Sequence, residues 1–145
     1  MAAVRRALAV LSLMPALLAV GGCGTREPSD EEQVRATLRA LADGTRAKDY
    51  QRLCDKVFAK KLLDGITRIG LPCEVALRQA YADVRDPQLV IGRIQVSGNE
   101  ASADVRSSAL GQSPSSDTVR LVKADAGWRV SSLGDSSPGS AAPAP

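Results

Sequence analysis

Apolar residues are spaced in three different ways along this chain, and each spacing predicts a different kind of structure. From Ala7 to Val20 nearly every residue is apolar, behind the short basic pair Arg5 and Arg6. That run has about the length of a secretory h-region, roughly 7–15 residues, and is shorter than the ~20 residues that span a bilayer as a helix. From Asp30 to Val84 the apolar residues recur at three- and four-residue intervals, which places them along one face of a helix. Val34, Leu38, Leu41 and Ala42 predict a first helix over 30–46, with Gly44 weakening its last turn. Ser29 is a suitable N-cap, Glu32 completes a capping box, and Asp30 and Glu31 complement the positive end of the helix dipole. A second, shorter helix is predicted over 49–54, turning Tyr50 and Leu53 inward. Phe58, Leu62, Leu63, Ile66 and Ile69 predict a third that stops at Gly70, and Pro72 opens a fourth carrying Val75, Leu77, Ala80 and Tyr81 as far as Val84.

Beyond Asp86-Pro87 the period falls to two. Leu89 to Val96 is rich in Val and Ile and reads as a strand, and Ser97-Gly98-Asn99 reads as a hairpin turn. Ala101, Ala103 and Val105 alternate with Ser102, Asp104 and Arg106, the pattern of a half-buried strand. A loop is expected over 111–116, then a strand over 118–123 with Val119 and Leu121 on one face. Asp125-Ala126-Gly127 turns the chain into a last strand in which Trp128 and Val130 share a face. Helices first and four antiparallel strands afterwards make this an α+β domain, predicted over 29–135. The end of the chain, 136–145, is low-complexity Ser, Pro, Ala and Gly that cannot bury an apolar face, so a disordered tail is expected there.

The apolar run ends in Val20-Gly21-Gly22-Cys23. This order resembles the lipobox of bacterial lipoproteins: aliphatic at −3, small at −2 and −1, cysteine at +1. The resemblance implies a signal peptide over 1–22, cleavage before Cys23, and diacylglycerol on the Cys23 sulfur. It also implies an exported protein held on the outer face of the cell membrane by lipid, with 23–28 as a polar tether. Two or three acyl chains anchor stably, because each buried CH₂ contributes ~0.8 kcal/mol and one chain alone holds only marginally. The competing readings are an ordinary secretory signal with an incidental Cys23, and a retained transmembrane helix, against which Pro15 and the glycines count.

Loss of 1–22 removes Arg5 and Arg6 and no acidic residue, lowering the formal net charge from +3 to +1. With an excess of one charge, interspersed signs and 3% aromatic residues, nothing indicates a nucleic-acid surface. The chain has no histidine, which excludes imidazole bases, His-activated nucleophiles and His-ligated zinc. Neither a calcium-loop order nor a glycine-rich phosphate loop is present, so neither a metal nor a cofactor is expected. With Cys23 assigned to lipid, Cys54 and Cys73 remain, and an oxidising compartment favours a disulfide between them. Two free buried thiols, or a redox pair lacking Cys-x-x-Cys spacing, are the alternatives.

The element order, with Asp49-Tyr50-Gln51-Arg52-Leu53-Cys54 after the long helix and Gly127-Trp128-Arg129-Val130 in the closing strand, resembles the nuclear transport factor 2-like (cystatin-like cone) superfamily. More narrowly it resembles small actinobacterial lipoproteins of that kind, which carry a cysteine in the second helix and another ~20 residues later. The resemblance covers about 29–133. It implies N-terminal helices packed against a strongly curved sheet of about four strands, a cone whose mouth can bind small hydrophobic molecules. Tyr50, Tyr81 and Trp128 are the candidate pocket residues, although each also reads as core. Enzymes of the superfamily place Asp, Tyr or His in the cone. Here Asp104 is expected to face solvent, Asp49 to start a helix, and Ala101 and Ala103 to leave room for either a helix or a ligand, so no residue is assigned to catalysis.

The expected function is a non-catalytic envelope lipoprotein offering its cone to a small apolar ligand or an envelope protein. A cone-fold isomerase or hydrolase, and a structural accessory, are the alternatives, and homodimers through the sheet are common in the superfamily. Replacing Cys23 by Ala should move the protein from the membrane fraction to the soluble exported fraction. Unchanged membrane retention together with an unlipidated mass would remove the anchor.

Overall fold

The computed structural model describes residues 26–134; the signal peptide expected over 1–22, the lipidation expected at Cys23 and the tail expected over 136–145 lie outside the described residues. The first helix, α1 (Asp30–Ala47), starts where its caps put it. Ser29 Oγ accepts the Glu32 N–H at 3.3 Å, and Glu32 Oε2 accepts the Ser29 N–H at 2.7 Å, so both halves of the capping box form. It ends at Lys48, whose left-handed backbone (φ 55°) directs its N–H to the Thr45 carbonyl and that of Asp49 to the Gly44 carbonyl. Gly44 does more than weaken this turn. It is buried, and a Cβ there would lie 2.5 Å from Leu53 Cδ2, so its missing side chain lets the next element pack directly on the helix.

Asp49 caps α2 (Tyr50–Arg52), accepting the Arg52 N–H at 3.1 Å. The chain then widens into a π-helical turn, Leu53–Val57, closed by the Phe58 N–H on the Leu53 carbonyl. Leu53, Cys54 and Val57 are all buried by it. Phe58 does not begin the third helix, as its spacing predicts. It is extended, 2% exposed, and bridges Val130, while the Ala59 N–H reaches the Val130 carbonyl at 2.8 Å. Burying an aromatic side chain against the sheet outweighs one more helical turn. The third helix, α3 (Lys60–Thr67), is accordingly shorter than its apolar spacing suggests, and Ile69 lies beyond it, 68% exposed. The fourth, α4 (Cys73–Ala80), also ends early, with Tyr81 as its C-cap.

Four antiparallel strands follow in sequence order: β1 (Gln88–Ser97), β2 (Glu100–Ala109), β3 (Gln112–Ala124) and β4 (Gly127–Ser132). Register irregularities fall at Ile91/Ile94, Ser107/Ala109 and Arg120/Leu121, one in each pairing, and such bulges bend a strand and increase its twist. In β1 the bulge also resets the alternation, so that Leu89, Ile91 and Ile94 all turn toward the core. The stretch over 111–116 is not a loop. It belongs to a hairpin whose second strand starts at Gln112, with Ser107 opposite Ser115 and Ala109 opposite Gln112. Ser108 of β2 there faces two residues of β3, Ser113 and Pro114, and a bulge is one of the few places in a sheet where a proline's missing N–H is tolerated.

The core lies between α1 and the inner face of this sheet. Val34 and Leu38 of α1 are fully buried and share one cluster with Ala103, Val119 and Val130. The space beside Ala101 and Ala103 is therefore packed core. Asp104 is exposed on the outer face, within 3.4 Å of Thr118 Oγ1, as its alternation predicts.

Cys54 and Cys73 form a disulfide with Cα atoms 6.2 Å apart, joining the π-helical turn to the first turn of α4 across a sequence separation of 19. In the chain-entropy account a crosslink of this span contributes ~3 kcal/mol by restricting the unfolded chain. The double substitution Cys54→Ser with Cys73→Ser should lower unfolding free energy by about that amount in urea titrations. An unchanged urea midpoint would mean that the helices hold α4 in place without the bond.

Candidate functional site

The inner face of the sheet changes chemistry along its length. On β2, Ala101, Ala103 and Val105 are buried, and the next residue in phase is Ser107. On β3, Leu121 and Val119 are buried, and the next residues in phase are Asp117 and Ser115. The register puts Asp117 opposite Val105 and Ser115 opposite Ser107. These three polar groups form a chain: the Ser107 and Ser115 hydroxyls lie 2.8 Å apart, and Ser115 Oγ donates to Asp117 Oδ2 at 2.9 Å.

At this end of the sheet the helices leave a cavity of about 230 Å³. Leu41, Ala42 and Thr45 of α1 form one wall, Tyr81, Val84 and Pro87 another, and Leu89, Val105 and Val119 contribute apolar surface from the sheet. The Leu110 N–H donates to the Arg85 carbonyl at 2.8 Å, tying the β2–β3 hairpin to the segment between α4 and β1 beside the cavity. A curved antiparallel sheet, closed by helices at one end and hollow at the other, is the architecture of a known fold. The fold is nuclear transport factor 2-like, as solved structures of that fold show.

No protein-family model matches the chain, and no curated protein matches it. Solved structures do. An NTF2-like protein of unknown function from Shewanella baltica aligns with a TM-score of 0.52 at 16% identity, covering 70% of this chain and 87% of that one. An NTF2-like protein of unknown function from Silicibacter pomeroyi aligns with a TM-score of 0.49, also at 16% identity, covering 68% and 87%. A de novo designed NTF2-fold protein gives 0.41 at 15% identity, covering 72% and 82%. At these identities the similarity concerns the fold, and the site has to be read from this chain's own residues.

Of the aromatic residues singled out from the sequence, Tyr81 lines the cone cavity. Burial pushes its phenol above the ordinary tyrosine value, and the neighbouring Tyr50 phenol adds to the shift, so Tyr81 is a hydrogen-bond donor at neutral pH. Tyr50 is not in that wall. It is 7% exposed in the core and stacks on Tyr81, ring centroids 6.3 Å apart and planes inclined by 20°. Trp128 is also elsewhere, at the N-terminal end of α1. Its Nε1–H donates to Asp30 Oδ1 at 3.0 Å, and Lys123 Nζ donates to the same oxygen at 2.7 Å while lying 5.8 Å from the indole centroid. Thr37 Oγ1 donates to the Trp128 carbonyl at 3.1 Å, so the tryptophan fastens α1 to β4.

Asp117, Ser107 and Ser115 were not among the sequence candidates, because 111–116 reads as a loop, which removes Ser115 from the strand pattern and leaves Ser107 and Asp117 without a partner across it. The available signal was the alternation itself: carried one step further, Val119 and Leu121 place Asp117 on the inner face. Among the described residues no group of three His, Cys, Asp or Glu side chains is arranged to hold a metal ion.

The Lys123 and Trp128 hydrogen bonds hold the Asp30 carboxyl below the usual aspartate range, and the Ser29 backbone and hydroxyl groups do the same for Glu32. Carboxyls whose folded values are lowered stabilise the protein above their unfolded values and lose that contribution as pH falls through the folded ones. The urea midpoint should therefore drop on acidification through and below the ordinary carboxylate range. Asp30→Asn should shrink that drop and lower the midpoint at neutral pH. An acid limb unchanged by the substitution would show that the Asp30 cluster makes no contribution.

Proposed function

We propose that this chain is a cell-envelope lipoprotein, anchored through Cys23 on the outer face of the membrane, whose cone binds a small and largely apolar molecule without transforming it. The observation that carries the binding part is the cavity at the wide end of the sheet, about 230 Å³, lined by aliphatic side chains from α1 and the sheet and by serines, Tyr81 and Asp117. Engineered cavities of ~150 Å³ already hold benzene, and sites for drug-sized ligands begin at ~300 Å³. The cavity therefore suits a molecule of about one ring with short substituents. The lipobox resemblance supports the anchoring part, and a disulfide between the two remaining cysteines is consistent with export.

One observation favours a second reading. Tyr81, a protonated phenol, and Asp117, a carboxylate, line the same cavity, and a donor and an acceptor facing one substrate are what a cone-fold isomerase or hydrolase needs. The binding reading ranks first because Ser115 already donates to the Asp117 carboxylate and histidine is absent from the chain.

Native mass spectrometry of the lipidated protein purified from membranes tests both. Binding predicts a co-purifying small molecule that is lost when Ala42→Phe fills the cavity and that leaves the protein unaltered on incubation. A protein with no such adduct, whose melting temperature no small molecule raises, would exclude the binding reading. Conversion of the molecule to a product, abolished by both Tyr81→Phe and Asp117→Asn, would transfer the conclusion to the enzyme.

A further inference from the structure

The charge pattern of the cavity wall is one-sided. Of the described residues that line it, Asp117 alone carries a formal charge, and no lysine or arginine is among them. Asp117 occupies a half-buried, inward position of β3 between the buried Val119 and the exposed Ser115, whose hydroxyl donates to Asp117 Oδ2. The packing of the sheet does not require this. The same face is aliphatic from Leu121 to Val119 and from Ala101 to Val105, and it turns polar only where the cavity begins. A carboxylate set in the wall of a partly apolar cavity, beside hydroxyl groups and with no cation in the lining, repels a bound anion and attracts a bound cation more strongly than it would in water. Aromatic surface from Tyr81 in the same wall favours an organic ammonium group further. One carboxylate is too few for a metal ion, which takes several charged or neutral oxygen ligands.

We propose that the cone selects a small organic cation, a primary amine carried on an apolar ring or short chain, with its ammonium group hydrogen-bonded to Asp117 and its apolar body against Leu41, Val105 and Val119. The inference rests on the ligand-binding reading above and adds the chemical class. It excludes fatty acids and other carboxylates as occupants.

Three probes of nearly equal size separate the possibilities: benzylamine, benzyl alcohol and benzoate. Each is titrated into the full chain carrying Cys23→Ala, following the backbone amide resonances of Val105, Ser107 and Asp117 by NMR at pH 7. Charge-assisted hydrogen bonds are about twice as strong as neutral ones, so benzylamine should bind about tenfold more tightly than benzyl alcohol. Benzoate should bind most weakly. Asp117→Asn, which keeps the side chain's size, should bring benzylamine to the level of benzyl alcohol and leave benzyl alcohol unchanged. Benzoate binding as tightly as benzylamine, or a preference for benzylamine that survives Asp117→Asn, would overturn the inference while leaving a ligand-binding cone. Failure of all three probes to move these resonances would overturn the ligand-binding reading itself. The ranking on the protein with Asp117 intact decides the matter even if Asp117→Asn does not fold.

Discussion

The structure depends on one geometric constraint: four antiparallel strands bent sharply enough to close over α1, with very few large side chains to fill the enclosed space. Each strand pairing carries a register irregularity, and together these give the sheet its curvature. The chain has one Phe, one Trp and two Tyr. Phe58 and Trp128 are buried along β4, and Tyr50 is committed to the helical layer. What remains for the wide end is Tyr81 in one wall with aliphatic and polar side chains around it, so the cone is packed at one end and hollow at the other.

The fastenings follow the same division. At the solid end, Trp128 and Lys123 share Asp30 Oδ1, Thr37 bonds the β4 backbone, and Phe58 bridges Val130. On the helical side the disulfide ties α4 to the π-helical turn, and α4 carries Tyr81 to the cavity wall. Burying Cys54 and stacking Tyr50 on Tyr81 therefore act at a distance on the cavity, by fixing the helix end that lines it. This arrangement suits a binding site, where a preformed wall lowers the cost of ordering the protein around its ligand.

Much of the fold was legible because the relevant rules are local. The capping box at Ser29 and Glu32, the Asp49 cap and the hairpin at Gly98-Asn99 each depend on a few neighbouring residues, and each appears where the spacing put it. The errors arose where a distant contact overrides local spacing. Phe58 is in phase with the third helix but is pulled into an extended bridge by burial against β4. The serine-rich stretch before Thr118 has loop composition, yet the pairing of Ser115 with Ser107 and a bulge that accommodates Pro114 make it a strand.

The sequence by itself determined the α+β class, the order of helices and strands, most of the inward-facing residues, and the exclusion of histidine chemistry, since periodicity, capping and composition need no knowledge of what lies across the molecule. Only the tertiary structure decided that Trp128 is a fastener and Tyr81 a wall residue, although both are aromatics at inward positions. It alone brought Ser107, Ser115 and Asp117 together beside an unfilled volume. A cavity is a statement about which side chains fail to meet across the fold, and strand curvature, set by bulges between paired strands, fixes that distance.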